Sequence, residues 1–152
     1  MNNKSLLCTL ALSTTLLLPG CASIQMGDPA KSASIKNFDK TMDKAQIYVC
    51  RDSRTFGMAI RPDIELDKNI IATVARSTFA YAEVMPGNHT LVAKTLEHDS
   101  KLPFTVKPGE QRFFQTWISI GVFAGWGLIE EISAEKGRAC VTDGELVEAV
   151  KS

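Results

Sequence analysis

The sequence predicts a mainly β protein, an antiparallel β-sandwich with one short C-terminal helix. Three observations carry that expectation. Short alternating or apolar segments follow one another from Ala45 to Ile118, each the length of a strand in a half-buried sheet. Two Pro-Gly turns, Met85-Pro86-Gly87-Asn88 and Lys107-Pro108-Gly109-Glu110, divide neighbouring segments; proline presets φ and glycine supplies φ > 0. Helix-start chemistry appears near the C-terminus, where Ser133 precedes Ala134 and Glu135. The chain has 152 residues, enough for one domain. Lys plus Arg equal Asp plus Glu at 17 each, a balance that argues against nucleic acid as a partner.

The first element is not expected to belong to the fold. Met1 to Lys4 carries one positive side chain, and Leu6 to Leu18 is uncharged and apolar with small hydroxyl residues. That is the order of a secretory signal, and it falls short of the roughly 20 apolar residues of a comfortable membrane span. A buried core helix is the alternative, but no polar face interrupts the run. Leu18-Pro19-Gly20-Cys21 resembles the lipobox of bacterial lipoproteins: leucine three before the cysteine and a small residue immediately before it. The resemblance implies cleavage before Cys21, a diacylglycerol on its sulfur and usually a third acyl chain on the new amine. Each buried methylene contributes roughly 0.8 kcal/mol, so two or three chains anchor essentially permanently. Ala22 in place of Asp resembles the outer-membrane sorting pattern of Gram-negative lipoproteins. The expectation is residues 1–20 as signal peptide, 21–44 as a lipidated tether and 45–152 as the sandwich.

Residues 22–43 are rich in Ser, Lys, Asp, Gly and Pro without periodicity, which reads as a tether with one short turn at most. Ala45 to Arg51 alternates, with Ala45, Ile47 and Val49 on one face. Asp52 to Gly57 reads as loop. Ile60 to Leu66 reads as a strand whose Pro62 marks an edge or a bulge. Asp67-Lys68-Asn69 is a turn, and Ile70 to Val74 returns. Thr78 to Val84 and His89 to Thr95 form a hairpin about the first Pro-Gly turn. Leu102 to Val106 and Gln111 to Ile118 flank the second. Ala134 to Val141 is the helix, weakened by Gly137, and Glu145 to Val150 a final strand.

There are four cysteines, Cys8, Cys21, Cys50 and Cys140. Cys8 lies in the signal segment and Cys21 is the lipid site. In an oxidising compartment the remaining Cys50 and Cys140 are a disulfide candidate. The bridge would close a loop of about 90 residues and contribute about 4–5 kcal/mol in the chain-entropy picture. Two separate buried thiols are the alternative.

The segments "AQIYVCRD", "FAYAEVMPGNHTLVAK" and "FTVKPGEQRFF" together resemble an uncharacterised lipoprotein domain family of the domain-of-unknown-function kind, over about residues 45–150. Pro86-Gly87-x-His89-x-Leu91 is also similar to PEGA-type extracellular β-sandwich domains. Leu66-Asp67-Lys68-Asn69 departs from the Val-Asp-Gly of the family's first hairpin. The resemblance implies an immunoglobulin/transthyretin-like sandwich at a membrane, with no activity and no catalytic residues to carry over.

His89 and His98 are the only histidines. Neither sits at metal-ligand spacing with Cys, His or carboxylates, so a turn role for His89 and a solvated loop for His98 are expected. Gly121 to Gly127 is glycine-rich but lacks the order and the lysine of a phosphate loop. No nucleophile elbow or zinc-protease motif is present. No cofactor, metal or catalytic residue is therefore expected. The uncharged stretch Trp117 to Ile129 has two readings. It forms two core strands joined by a glycine-containing connection, or it forms an apolar loop with Val122, Phe123 and Trp126 at its tip. In the second reading those residues meet a partner or the membrane interface. The function expected is a lipid-anchored, non-catalytic envelope protein that acts by binding, attached to the outer membrane facing the periplasm, with an envelope protein as partner. An envelope hydrolase with an unrecognised site is the alternative.

Overall fold

The strand β1 (Ala45–Arg51) is buried along its whole length, because its alternation places apolar side chains on both faces of a central strand. Ala45, Ile47 and Val49 enter one core, and Tyr48 and Cys50 the other. The structure, a computed structural model, describes residues 24–51, 53–54 and 56–150. The expected signal peptide and Cys21 lie outside the described residues.

After β1 come β2 (Asp63–Leu66), β3 (Asn69–Thr73), β4 (Thr78–Val84), β5 (Gly87–Lys94), β6 (Asp99–Val106), β7 (Gln111–Ser119) and β8 (Trp126–Glu131). The helix α2 (Ala134–Asp143) and the short β9 (Glu145–Leu146) end the fold, and α1 (Pro29–Ile35) precedes it. One sheet runs β8-β7-β1-β4-β9 and the other β3-β2-β5-β6. Their facing sides bury Ile47, Val49, Ile64, Leu91, Phe104 and Phe114. The expected sandwich is the architecture, with α2 on the outer face of the five-stranded sheet over Tyr48, Phe79 and Phe113.

Two ladders depart from a purely antiparallel sandwich. β1 pairs in parallel with β7, and β4 with β9. Between β1 and β7 the chain crosses to the second sheet and back twice, and β7 enters beside β1 from the same end. Both Pro-Gly turns make such crossings, β4 to β5 and β6 to β7, so the hairpin expected about the first of them does not form: its two strands belong to opposite sheets. Pro62 proves to lie outside the strand it was expected to mark. β2 begins at Asp63 and sits between β3 and β5, with its irregularity between Ile64 and Glu65. The turn after β2 holds Asp67 and Lys68 at φ 50° and 72°, the positive pair that a tight hairpin of primed type requires, here without glycine.

α2 starts at Ser133, whose side chain accepts from the Lys136 N–H. Gly137 weakens helix propensity, yet a Cβ there would stand 2.3 Å from Phe113 Cβ. The close approach of α2 to β7 therefore requires glycine. The expected final strand shortens to β9, with Val147 bridging to Met26. Val150 N–H then donates to Ile71 in the other sheet.

Residues 24–44 are not a free tether. Gly27 N–H donates to Leu146 at 2.8 Å and Glu148 N–H to Gln25 at 2.9 Å. Ile24 packs against the inner core, and Ile35 and Phe38 against the outer one. The Phe38 ring meets Tyr48 at 5.6 Å and Phe113 at 6.0 Å. Composition made the segment look solvated, but its few apolar side chains cover sheet that α2 leaves bare.

The sulfurs of Cys50 and Cys140 are bonded, with Cα atoms 6.3 Å apart. The bridge pins α2 onto β1.

Candidate functional site: an apolar end built on one carboxylate

β1 and β7 run in parallel, so residues 56–62 and 120–125, in the connections that follow them, emerge at the same end of the sandwich. The turn after β5, residues 95–98, joins them there. The Thr95 hydroxyl, with one proton to give, lies 2.8 Å from the His98 carbonyl and 3.1 Å from the Gly125 carbonyl, and it accepts from Gly127 N–H at 3.4 Å. Arg51, buried at the end of β1, donates to the carbonyls of Ile60 and Gly57 and so holds the first of these loops.

Glu97 organises the β7–β8 connection. Its carboxylate accepts the backbone N–H groups of Val122, Phe123, Ala124 and Gly125 at 2.5, 3.0, 2.8 and 3.1 Å. The indole N–H of Trp126 adds a fifth donor at 3.0 Å. Successive N–H groups turned to one point form a concave anion cradle, and this cradle holds the protein's own side chain. The hydrogen bonds from Ala124, Phe123 and Val122 hold the Glu97 carboxyl down to about 2. Gly121 is required at the entry, since a Cβ there would lie 2.8 Å from the Gly125 Cα across the turn.

Held this way, the loop turns its side chains outward. Phe123 is 94% exposed, Val122 74% and Ile120 76%, and Leu96 of the neighbouring turn is 99% exposed. Phe56, Met58 and Trp126 are exposed as well. A cleft of about 560 Å³ is lined by Phe56, Ile60, Arg61, Leu96, Ile120 and Phe123. Arg54 lies over the Trp117 ring at 6.0 Å and His98 beside Trp126 at 5.2 Å. Contiguous exposed apolar surface of this kind is uncommon on a soluble monomer and marks contact sites.

Both readings of Trp117 to Ile129 meet here. The segment supplies the end of β7 and the start of β8, and the connection between them carries Val122 and Phe123 at its tip, with Trp126 at its base. Phe56, Met58, Leu96 and Ile120 were not singled out in the sequence, although Leu96 is an isolated apolar residue in a polar turn. Glu97 was invisible there, because its partners lie 25 to 29 residues away.

His89 lies elsewhere, near the β4–β5 connection. Its Nδ1 is 2.6 Å from Asp67 Oδ2 and its Nε2 2.7 Å from the Met85 carbonyl. Both partners accept, so the ring suits its doubly protonated form. Burial pulls its pKa down, but the bonds to Asp67 and Met85 outweigh this and raise it. With both nitrogens held, the ring serves the turn. Among the described residues no group of three or more His, Cys, Asp or Glu could hold a metal ion. None of the described helices is long and apolar enough to cross a membrane.

The profile of a family described as "Protein of unknown function (DUF2846)" matches residues 41–126. That stretch holds β1 to β7 and the Glu97 cradle. An "Uncharacterized protein" of Haemophilus influenzae is 27% identical over 133 residues, covering 86% of this chain and 78% of that protein. No solved structure matches the chain.

Proposed function

The chain belongs to the DUF2846 family of proteins of unknown function, and on that premise we propose that it is a lipid-anchored protein of the bacterial cell envelope. It is attached through Cys21, most simply to the outer membrane facing the periplasm, and its sandwich acts by binding rather than by catalysis. The observation that carries the binding role is the apolar end: loops from three parts of the chain converge there, and one carboxylate is spent on holding the exposed loop in shape. Rigid presentation of apolar side chains lowers the ordering cost of an encounter. The Leu18-Pro19-Gly20-Cys21 sequence and the Cys50–Cys140 bridge support an exported, oxidising location.

Metabolic labelling with a radioactive fatty acid tests the anchor. Label should enter the wild-type protein and be absent from a Cys21→Ser variant made at a comparable level. Equal labelling of the two would rule out Cys21 as the attachment point.

A further inference from the structure

We infer that the sandwich stands on its anchoring bilayer with the Met85 end against the phospholipid headgroups, and that the apolar end is held away from that membrane. The inference rests on the lipid-anchored reading and names the surface of the domain that meets lipid.

The strand register fixes where the chain enters the fold. Met26 bridges antiparallel to Val147, with Gly27 N–H donating to the Leu146 carbonyl and Glu148 N–H to that of Gln25. β9 runs parallel to β4 with Leu146 beside Phe79, so Val147 stands level with Ala80. Followed back from Met26, the chain therefore runs in the direction that β4 takes from Ala80 to Val84. Ile24 lies on that path and packs against the inner core. Three residue steps separate it from Cys21, at most about 11 Å at about 3.5 Å per step. Acyl chains on Cys21 thus hold the end of the sandwich where β4 finishes and β1 begins.

The chemistry of that end suits a headgroup layer. Val84 pairs with Ala45 and Gly87 with Val106, which brings residues 85–86 and the 107–110 turn to the start of β1. Gly109 N–H donates to the Lys44 carbonyl at 3.0 Å. Met42 and Met85 are 85% and 63% exposed there, and Lys40, Lys44 and Lys107 are exposed with them. Flexible apolar side chains beside lysines, whose stems lie on apolar surface while the ammonium reaches phosphate, fit the boundary between lipid and water. Asp39, Asp43 and Glu83 are exposed at the same end and keep it close to charge balance. The flank that carries Met26 and β9 is the other surface a short tether could lay on the membrane. Four exposed carboxylates there, on Asp28, Asp143, Glu145 and Glu148, outnumber Lys31, and anionic headgroups repel such a surface.

The apolar end then stands clear. β7 runs nine residues from the Met85 end to the 120–125 connection, about 26 Å at about 3.3 Å per residue step. A tether of three steps does not bring Val122 and Phe123 back across that distance while the domain is upright. The partner of the apolar end is therefore met outside the anchoring bilayer, on the far side of the domain.

The experiment uses the full chain, expressed and acylated in cells, with one added cysteine: Met85→Cys, Glu145→Cys or Phe123→Cys. All three side chains are exposed. With Cys21 acylated and Cys50 bonded to Cys140, the added thiol alone takes a fluorophore. Lys107→Cys and Val122→Cys repeat the two ends at second positions, and melting temperatures equal to that of the wild type identify the variants that are folded. Each labelled protein is placed in phospholipid vesicles with or without a nitroxide quencher on the headgroups. The Met85→Cys and Lys107→Cys labels should lose most of their emission to the nitroxide, and the other three should keep theirs. Quenching of the Glu145→Cys label would mean that the domain lies on its flank, and quenching of the Phe123→Cys and Val122→Cys labels that the apolar end meets lipid; either result overturns the proposal. A protein that floats with the vesicles while its Met85→Cys and Lys107→Cys labels stay bright overturns it too and leaves the anchor standing. A protein that does not float contradicts the anchored reading itself.

Discussion

Reduction of the Cys50–Cys140 bridge is the perturbation whose size follows most directly from the structure. The two cysteines lie 90 residues apart, and closing a loop of that length removes about 15 cal/mol/K from the unfolded chain, or about 4.6 kcal/mol at 25 °C. Unfolding entropy near the midpoint is about 2.1 cal/mol/K per residue, so roughly 125 ordered residues give about 0.26 kcal/mol per degree. The reduced protein should therefore melt roughly 17 °C below the oxidised one. Circular dichroism melts of one preparation, with and without dithiothreitol, read the difference, and thiol alkylation with mass analysis confirms the state of the bridge. The Cys50→Ala/Cys140→Ala double variant should match the reduced protein and be insensitive to reductant. A shift of less than about 4 °C, near 1 kcal/mol, would refute the loop-entropy account. It would mean that α2 stays on β1 through Phe113 and Val141 without the bridge.

Gly137→Ala sets helix propensity against packing: propensity alone favours alanine by about 1 kcal/mol, but the clash with Phe113 should make the variant about 1–3 kcal/mol less stable in urea melts. Among the described residues the buried Tyr48 hydroxyl finds no hydrogen-bond partner, so Tyr48→Phe should be neutral or raise stability by about 1 kcal/mol, read from the same melts. His89 has its pKa raised in the folded state, so its stabilising contribution is complete below about 6.5 and is lost as pH rises through the higher folded value. Melting temperatures from pH 5 to 9 should show wild type losing its advantage over His89→Gln across that window, and parallel curves would exclude the charged ring.

The parts of the fold that were legible in the sequence are those written in local chemistry. β1 showed as alternation, β4 and β7 as apolar segments, the chain reversals as Pro-Gly turns and α2 as a serine cap, and each stands close to its expected range, although both Pro-Gly turns cross between the sheets and join no paired strands. What was hidden depends on partners distant along the chain. The parallel entry of β7 beside β1 leaves no mark on either strand. The docking of residues 24–44 hangs on a few apolar residues, Ile24, Ile35 and Phe38, in a polar stretch. The apolar tip was half visible: Val122, Phe123 and Trp126 announced themselves by lack of charge, while Glu97 looked like one more solvated acid. Its role depends on backbone N–H groups, which every sequence has and only a fold can aim.

The account rests on a sandwich held at a membrane by acyl chains on Cys21. Intact-mass analysis of the full-length gene product, purified from the membrane fraction, tests that most directly. The predicted result is a chain that begins at Cys21 and is heavier than its residues by a diacylglycerol, with or without one further acyl group. A chain that retains residues 1–20, or one that begins at or before Cys21 without added lipid, would contradict it.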